Sequence, residues 1–208
     1  MHLRELTLRN YRNFDHLELS FPSDLIFLVG KNAQGKTNII ESIFLSCTGR
    51  SHRTSKDREL IQWDREEALV RTKVDKLMGV SSIDIALNAH EKKKIRINGG
   101  PIHRLGELMG HLNSVIFSPE DLKLVREGPS ERRRFMDMEL SQIRPKYFYY
   151  LQQYNRILNH RNNLLKDIQK KPSLAKTLPV WDQQLVEAGS FIIRQRHVFN
   201  ASLQTIAQ

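Results

Sequence analysis

The eight residues from Gly30 to Thr37, GKNAQGKT, constrain this chain more than any other feature, because they match G-x-x-x-x-G-K-[ST] at every fixed position. Gly30 and Gly35 allow the backbone to turn so that its N–H groups converge, and a helix opening near Lys36 adds its positive end. Such a loop is built for phosphate. The pattern predicts that Gly30, Lys31, Asn32, Ala33, Gln34, Gly35, Lys36, Thr37 and Asn38 bind a nucleotide, with ATP and Mg²⁺ as cofactors. Lys36 would reach the β- and γ-phosphates, and the Thr37 hydroxyl would be a ligand to Mg²⁺, which favours octahedral oxygen coordination completed by water.

The flanking pattern supplies the context that this loop needs. Residues 3–9 and 15–21 alternate, with Leu17, Leu19 and Phe21 on one face, and read as two half-buried antiparallel strands. Residues 25–29, LIFLV, form a continuous apolar run ending at Gly30, which predicts a strand buried on both faces. After the loop, Ile39, Ile40, Ile43, Phe44 and Cys47 recur at helical spacing from Lys36 onward. Further strands are expected at 68–76, 81–88 and 92–98, with a turn at Asn98-Gly99-Gly100-Pro101, and a short one at 114–117. Ser118-Pro119-Glu120-Asp121 has the composition of a helix start, and a second helix is expected from Ser130, ending before Pro145.

Beyond residue 145 the pattern becomes helical over 146–170 and 181–208. Leu151, Tyr154, Leu158, Leu165 and Ile168 share one face, and Trp181, Leu185, Ala188, Ile192, Phe199, Leu203 and Ile206 share the other, so the two helices are expected to pack as a hairpin. Gly189 weakens the second helix by about 1 kcal/mol relative to alanine. The pattern is still helical at Gln208, with no stop signal, and the sequence is expected to continue in a longer protein. The fold expected is α/β: a P-loop subdomain over 1–145, with mixed and antiparallel sheets, and the start of an α-helical lobe over 146–208.

Charge narrows the partners. A formal +10 favours a polyanion, because basic side chains gain affinity by releasing counterions from phosphates. DNA is the leading candidate, although basic proteins are also basic for solubility alone. The candidate DNA contacts are Arg50, His52, Arg53 and Lys56, and the run Arg132, Arg133 and Arg134. Three arginines at a helix N-terminus oppose its dipole, yet successive helical residues point about 100° apart, so at most two can face one phosphate surface. The hairpin carries nine Lys/Arg against three Asp/Glu over 146–208, interleaved with Tyr147, Tyr149, Tyr150 and Tyr154, which suits a DNA face, a protein face or core, with core favoured for Tyr154. The single cysteine, Cys47, cannot form an internal disulfide, no apolar run approaches the eighteen or so residues of a membrane span, and a cytoplasmic address is expected.

Asn32 and Asn38, together with LTLRNYR at 6–12, resemble the ABC-type ATPases of chromosome maintenance and repair. On that resemblance Arg12 would contact the nucleotide phosphates or ribose. Within the superfamily, NYRNF at 10–14, GKNAQGKTNIIESI at 30–43, GRSHRTSKDRELI at 49–61, VIFSPEDLKLV at 115–125 and GPSERRRFMD at 128–137 are similar to the RecF family. The resemblance implies an ATP-dependent, homodimeric DNA-binding protein of replication, repair and the SOS response that acts with RecO and RecR to load recombinase at DNA gaps or junctions. Three features depart from the ABC pattern. No glutamine stands at VIFSPED, where Ser118, Glu120 or Asp121 is either a metal contact or a simple helix cap. No Walker B run and no LSGGQ-like segment occur, so slow ATP hydrolysis is expected. No catalytic residue that orients water is identified. A rival reading makes these residues mainly a RecR-docking module.

Overall fold

A computed structural model describes residues 1–77, 79–118, 121 and 123–207, without the side chain of Lys123. These divide into two compact units, Met1–Ile116 and Phe117–Gln208.

Among the described residues, the first unit is a six-stranded antiparallel sheet with one α-helix and two short 3-10 turns. Its strands are β1 (His2–Tyr11), β2 (Phe14–Ser20), β3 (Glu67–Lys76), β4 (Gly79–Asn88), β5 (Lys94–Ile97) and β6 (Gly100–Pro101), in the spatial order β2-β1-β3-β4-β5-β6. Alternation fixes the register, because a slip of one residue would turn every apolar side chain outward. Leu8 pairs with Val70, Val70 with Ile85 and Ile85 with Ile95, all on the buried face. Helix α1 (Lys36–Thr48) contributes Ile39, Leu45 and Cys47 to the same core. The opposite face is a lattice of charge, with Arg71 on Asp84 and Lys73 on Glu5, each at 2.7 Å. The β5–β6 turn lies where its sequence predicts, with Asn98 and Gly99 in left-handed conformations.

Two predicted strands are not formed. Residues 25–29 have no strand ladder, and Leu25, Phe27 and Val29 are exposed, Val29 to 91%. Residues 114–117 likewise run without a ladder, with Val115 and Phe117 exposed. An apolar run becomes a buried strand only beside a partner, and among the described residues neither run has one. Only Leu28 of the first run packs on the core.

The second unit is helical: α2 (Lys123–Arg126), α3 (Pro129–Ile143), α4 (Pro145–Lys170) and α5 (Leu178–Ala207). At Ser118 the backbone N–H donates to the Asp121 carboxylate at 2.6 Å, half of a capping box, while Glu120 lies outside the described residues. Helix α3 begins one residue before the expected Ser130, with Pro129 in its first turn, where a missing N–H costs nothing. Tyr154 approaches the position a Gly189 Cβ would take to 3.2 Å, which explains a glycine inside α5. Tyr150 stacks on Phe191 and His160 on Trp181. Tyr147 and Ile157 are buried, but Leu165, Leu203 and Ile206 of the expected faces are exposed. With Gly189 beside Tyr154 in an antiparallel pair, α4 reaches its first residue near Val198, so the last turns of α5 outrun it.

The units divide earlier than the composition change at residue 145, because α3 is tied to α5. Arg196 donates to both oxygens of Asp137, at 2.7 and 2.9 Å, and the Tyr147 hydroxyl donates to the same carboxylate. Arg196 and Asp137 are about four-fifths buried. Replacing Arg196 with alanine leaves Asp137 largely desolvated beside one hydroxyl, and is expected to cost about 2–4 kcal/mol. Urea denaturation followed by far-ultraviolet circular dichroism measures that loss.

Candidate nucleotide-binding site

Gly35 ends the loop and caps α1. It lies at φ 95, and an added Cβ would meet Phe14 at 2.5 Å and the Asn13 amide at 2.7 Å. Asn13 belongs to the two-residue turn, Arg12–Asn13, between β1 and β2, and Phe14 opens β2, so the end of this hairpin is pressed against the C-terminal half of the loop. The first helical bond runs from Ile39 N–H to the Gly35 carbonyl, and no side chain caps the N-terminus. The amides of the first turn therefore remain available to an anion at the positive end of the helix dipole.

The predicted residues are brought together. Lys31, Asn32, Ala33 and Gln34 are exposed on the loop, and Ala33 holds φ 64. Lys36 folds over the loop, its Nζ donating to the carbonyls of Gly30 and Lys31 at 2.7 Å each. Thr37 is exposed at the second position of α1. Thr37 offers one hydroxyl oxygen, the kind of ligand that hydrated Mg²⁺ takes beside phosphate oxygens.

The feature missed by the sequence reading is Glu41. It is fully buried one turn into α1, while Ile40, assigned to the core, is 44% exposed. Arg12 Nε and Nη2 donate to its two oxygens at 2.9 and 2.7 Å, Ser51 Oγ donates at 2.5 Å, and Arg53 Nη1 donates at 3.2 Å. Burial by itself would raise the Glu41 pKa. The hydrogen bonds from Arg12 and Ser51, and the charges of Arg12 and Arg53, outweigh burial and hold it below the ordinary carboxylate value of 4.5. A second chain of bonds runs at the mouth of the loop, from Arg53 Nη1 to Asn38 Oδ1 at 2.9 Å and from Asn38 Nδ2 to Asn13 Oδ1 at 2.8 Å. A glutamate within the apolar helical stretch IIESIF was the one available signal.

The candidate DNA residues separate by environment. Arg50 and Lys56 are exposed, Lys56 beside Glu59 at 3.7 Å. His52 is packed edge-on against Phe44, and Arg53 is turned toward Glu41, so neither presents its whole side chain outward. In the other unit Arg132, Arg133 and Arg134 are exposed, with Arg132 donating to the Glu127 carbonyl and Arg134 3.7 Å from Glu131.

A family model described as an AAA domain matches residues 5–196. "DNA replication and repair protein RecF" of Alkaliphilus oremlandii is 48% identical over 208 residues, all of this chain and 56% of the relative. The chain belongs to the RecF family of AAA-domain proteins. RecF of Acetivibrio thermocellus is 46% identical, again over 56% of its length, so the chain spans just over half of these relatives. A solved structure of "the recombination mediator protein RecF-ATP in RecFOR pathway" superposes with a TM-score of 0.93 at 38% identity, over 98% of this chain and 55% of that one. An SMC ATPase structure, at 18% identity and a TM-score of 0.56 over 66% of this chain and 99% of that one, shares the fold alone. The fold is therefore that of an AAA/ABC-type P-loop ATPase with a helical portion, as the RecF resemblance implied. No helix among the described residues is long and apolar enough to cross a membrane.

Two outcomes follow from the geometry. Gly35→Ala must relieve both a left-handed backbone and a clash with the β1–β2 turn, and is expected to cost about 1–3 kcal/mol in chemical denaturation. Because the Glu41 pKa is depressed in the folded chain, its stabilisation is present above the unfolded value near 4.5 and is lost as pH falls through the lower folded value. Glu41→Gln is expected to flatten the loss of stability as pH falls below 4.5, as read from urea midpoints across the acid range.

Proposed function

We propose that this chain is the nucleotide-binding portion of a recombination-repair ATPase, which holds Mg·ATP at Gly30–Asn38 and couples it to DNA in work shared with RecO and RecR. The observation that carries the reading is the uncapped first turn of α1 behind a braced P-loop, in a chain 38% identical to a RecF solved with ATP. Backbone amides of residues 30–38 would cradle the phosphates. Lys36 would exchange its bonds to the carbonyls of Gly30 and Lys31 for the β- and γ-phosphate oxygens. Mg²⁺, held through the Thr37 hydroxyl, would neutralise charge on those phosphates.

Arg12 supports this site from behind, since its side chain is spent on Glu41 and on the Glu59 carbonyl. Turnover needs a group that orients water, and the sequence offers none, so binding without appreciable hydrolysis is the behaviour proposed for these 208 residues. In a protein of the relatives' full length, an ATP-dependent homodimer would complete the site. Arg50, Lys56 and the Arg132–Arg134 run are the DNA contacts that exposure favours.

Calorimetric titration with Mg·ATP tests the first half. Lys36→Ala is expected to weaken binding roughly 10- to 100-fold, the equivalent of about 1.5–3 kcal/mol for charge-assisted hydrogen bonds, with negligible turnover in both samples. Absence of heat in the unmodified chain, together with undiminished RecR capture, would replace this reading with a docking module. For DNA, neutralising Arg132, Arg133 and Arg134 is expected to make the dependence of log K on log salt shallower by roughly 0.9 per lost phosphate contact.

A further inference from the structure

The Glu41 carboxylate is held by groups from outside the loop Gly30–Thr37, two arginines and a serine from two separate segments. We propose that Glu41 is a positioning residue that fixes Arg12 and holds Arg53 in reserve, so that the loop 50–56 is the part of the site that rearranges when nucleotide binds. The proposal rests on the Mg·ATP reading above and adds to it the segment that responds.

The two arginines are held unequally. Arg12 is anchored at both ends: its backbone N–H donates to the Leu60 carbonyl at 2.8 Å, and its guanidinium grips both Glu41 oxygens and the Glu59 carbonyl. Its side chain is 20% exposed. Arg53 is held through one nitrogen, Nη1, shared between Asn38 at 2.9 Å and Glu41 at the longer distance of 3.2 Å, and its side chain is 39% exposed. Its Nε and Nη2 donate to no partner among the described residues. A planar guanidinium with unspent donors is well suited to phosphate oxygens.

Charge sets the direction of the change. Arg12 and Arg53 face one buried carboxylate, which leaves surplus positive charge beside a loop that already carries Lys36. A polyphosphate bound at α1 competes with Glu41 for Arg53, and its weaker, shared bond is the one to yield. Asn38, the residue after Thr37, passes the change onward, because its amide bonds Arg53 on one side and Asn13 of the β1–β2 turn on the other. The loop itself is organised by the same carboxylate. Ser51 Oγ donates to Glu41 while accepting the N–H groups of Arg53 and Thr54 at 2.9 and 3.2 Å.

Hydrogen exchange with mass spectrometry on the full chain, with and without Mg·ATP, tests the proposal beside calorimetry on the same samples. In the unmodified chain Mg·ATP is expected to change exchange at 50–56, whereas tripolyphosphate with Mg²⁺ does so in the same sense because the phosphates are the cause. In Glu41→Gln those amides are expected to exchange fast with or without nucleotide and Mg·ATP affinity to fall at least about fivefold, while β3 and β4 keep their protection. Wild-type affinity and a wild-type loop response in Glu41→Gln would overturn the proposal, as would an ATP-bound chain whose residues 50–56 do not respond. Absence of ATP binding in the unmodified chain would instead overturn the nucleotide reading itself. If β3 and β4 lose protection in Glu41→Gln, Ser51→Ala decides, since it keeps the carboxylate and both arginines: faster exchange at 50–56 supports the proposal, and an unchanged loop overturns it.

Discussion

Burying a carboxylate is costly unless its oxygens are fully satisfied, and Glu41 is buried inside the first unit with Arg12 closing on both of its oxygens. That pair decides much of the surrounding geometry. Because Arg12 stands in the two-residue β1–β2 turn, its grip on α1 presses Asn13 and Phe14 onto Gly35, where any other residue would collide. Because Ser51 completes the carboxylate, the segment that leaves α1 is drawn back over the same helix. Arg12 N–H and Gln62 N–H bond the Leu60 and Asn10 carbonyls and join the 58–62 segment to the same turn. The turn, the helix and the loop after it thus form one body around one buried charge.

The longer strands of the first unit, β1, β3 and β4, were legible because each has one buried and one polar face, and alternation records that asymmetry directly. The two-residue β6, exposed and read only as turn, was not. The failures at 25–29 and 114–117 have a single cause. A continuous apolar run reports that a segment would be stable between neighbours, but contains nothing about whether neighbours are present. Helix faces failed in a related way: the period that placed Leu203 and Ile206 beside Ile192 is real, but α4 does not extend far enough to cover them. Gly189 shows the converse, where a penalty read from propensity is repaid by an aromatic ring packed at close range.

The phosphate cradle was readable from spacing, since its chemistry lies mostly in backbone amides and needs only glycines, a lysine and a helix start at fixed offsets. Side-chain partners were not readable. Arg53 and Arg132 are alike in sequence as members of basic clusters, yet one turns toward a buried carboxylate and the other is exposed beside a backbone carbonyl. Glu41 was passed over because an acid next to isoleucines looks like the polar edge of an amphipathic helix. Only its three-dimensional neighbours, drawn from residues 12, 51 and 53, identify it as the centre of a network.

The two ends of the P-loop are supported to different degrees, and this bears on how it binds. At Gly35 the β1–β2 turn and the first turn of α1 fix the amides before any anion arrives, so that end carries little ordering cost. At Gly30 the loop continues from a run with no ladder and an exposed Val29. Fixing backbone costs about 1–2 kcal/mol per residue, so ligand-linked ordering of even three residues of that run would offset several charge-assisted hydrogen bonds. Anything that paired 25–29 into a sheet would supply that order in advance and bury apolar surface at about 25 cal/mol per Å². Affinity at this site is therefore governed first by Glu41 and the β1–β2 turn, which hold the Gly35 end of the loop in place.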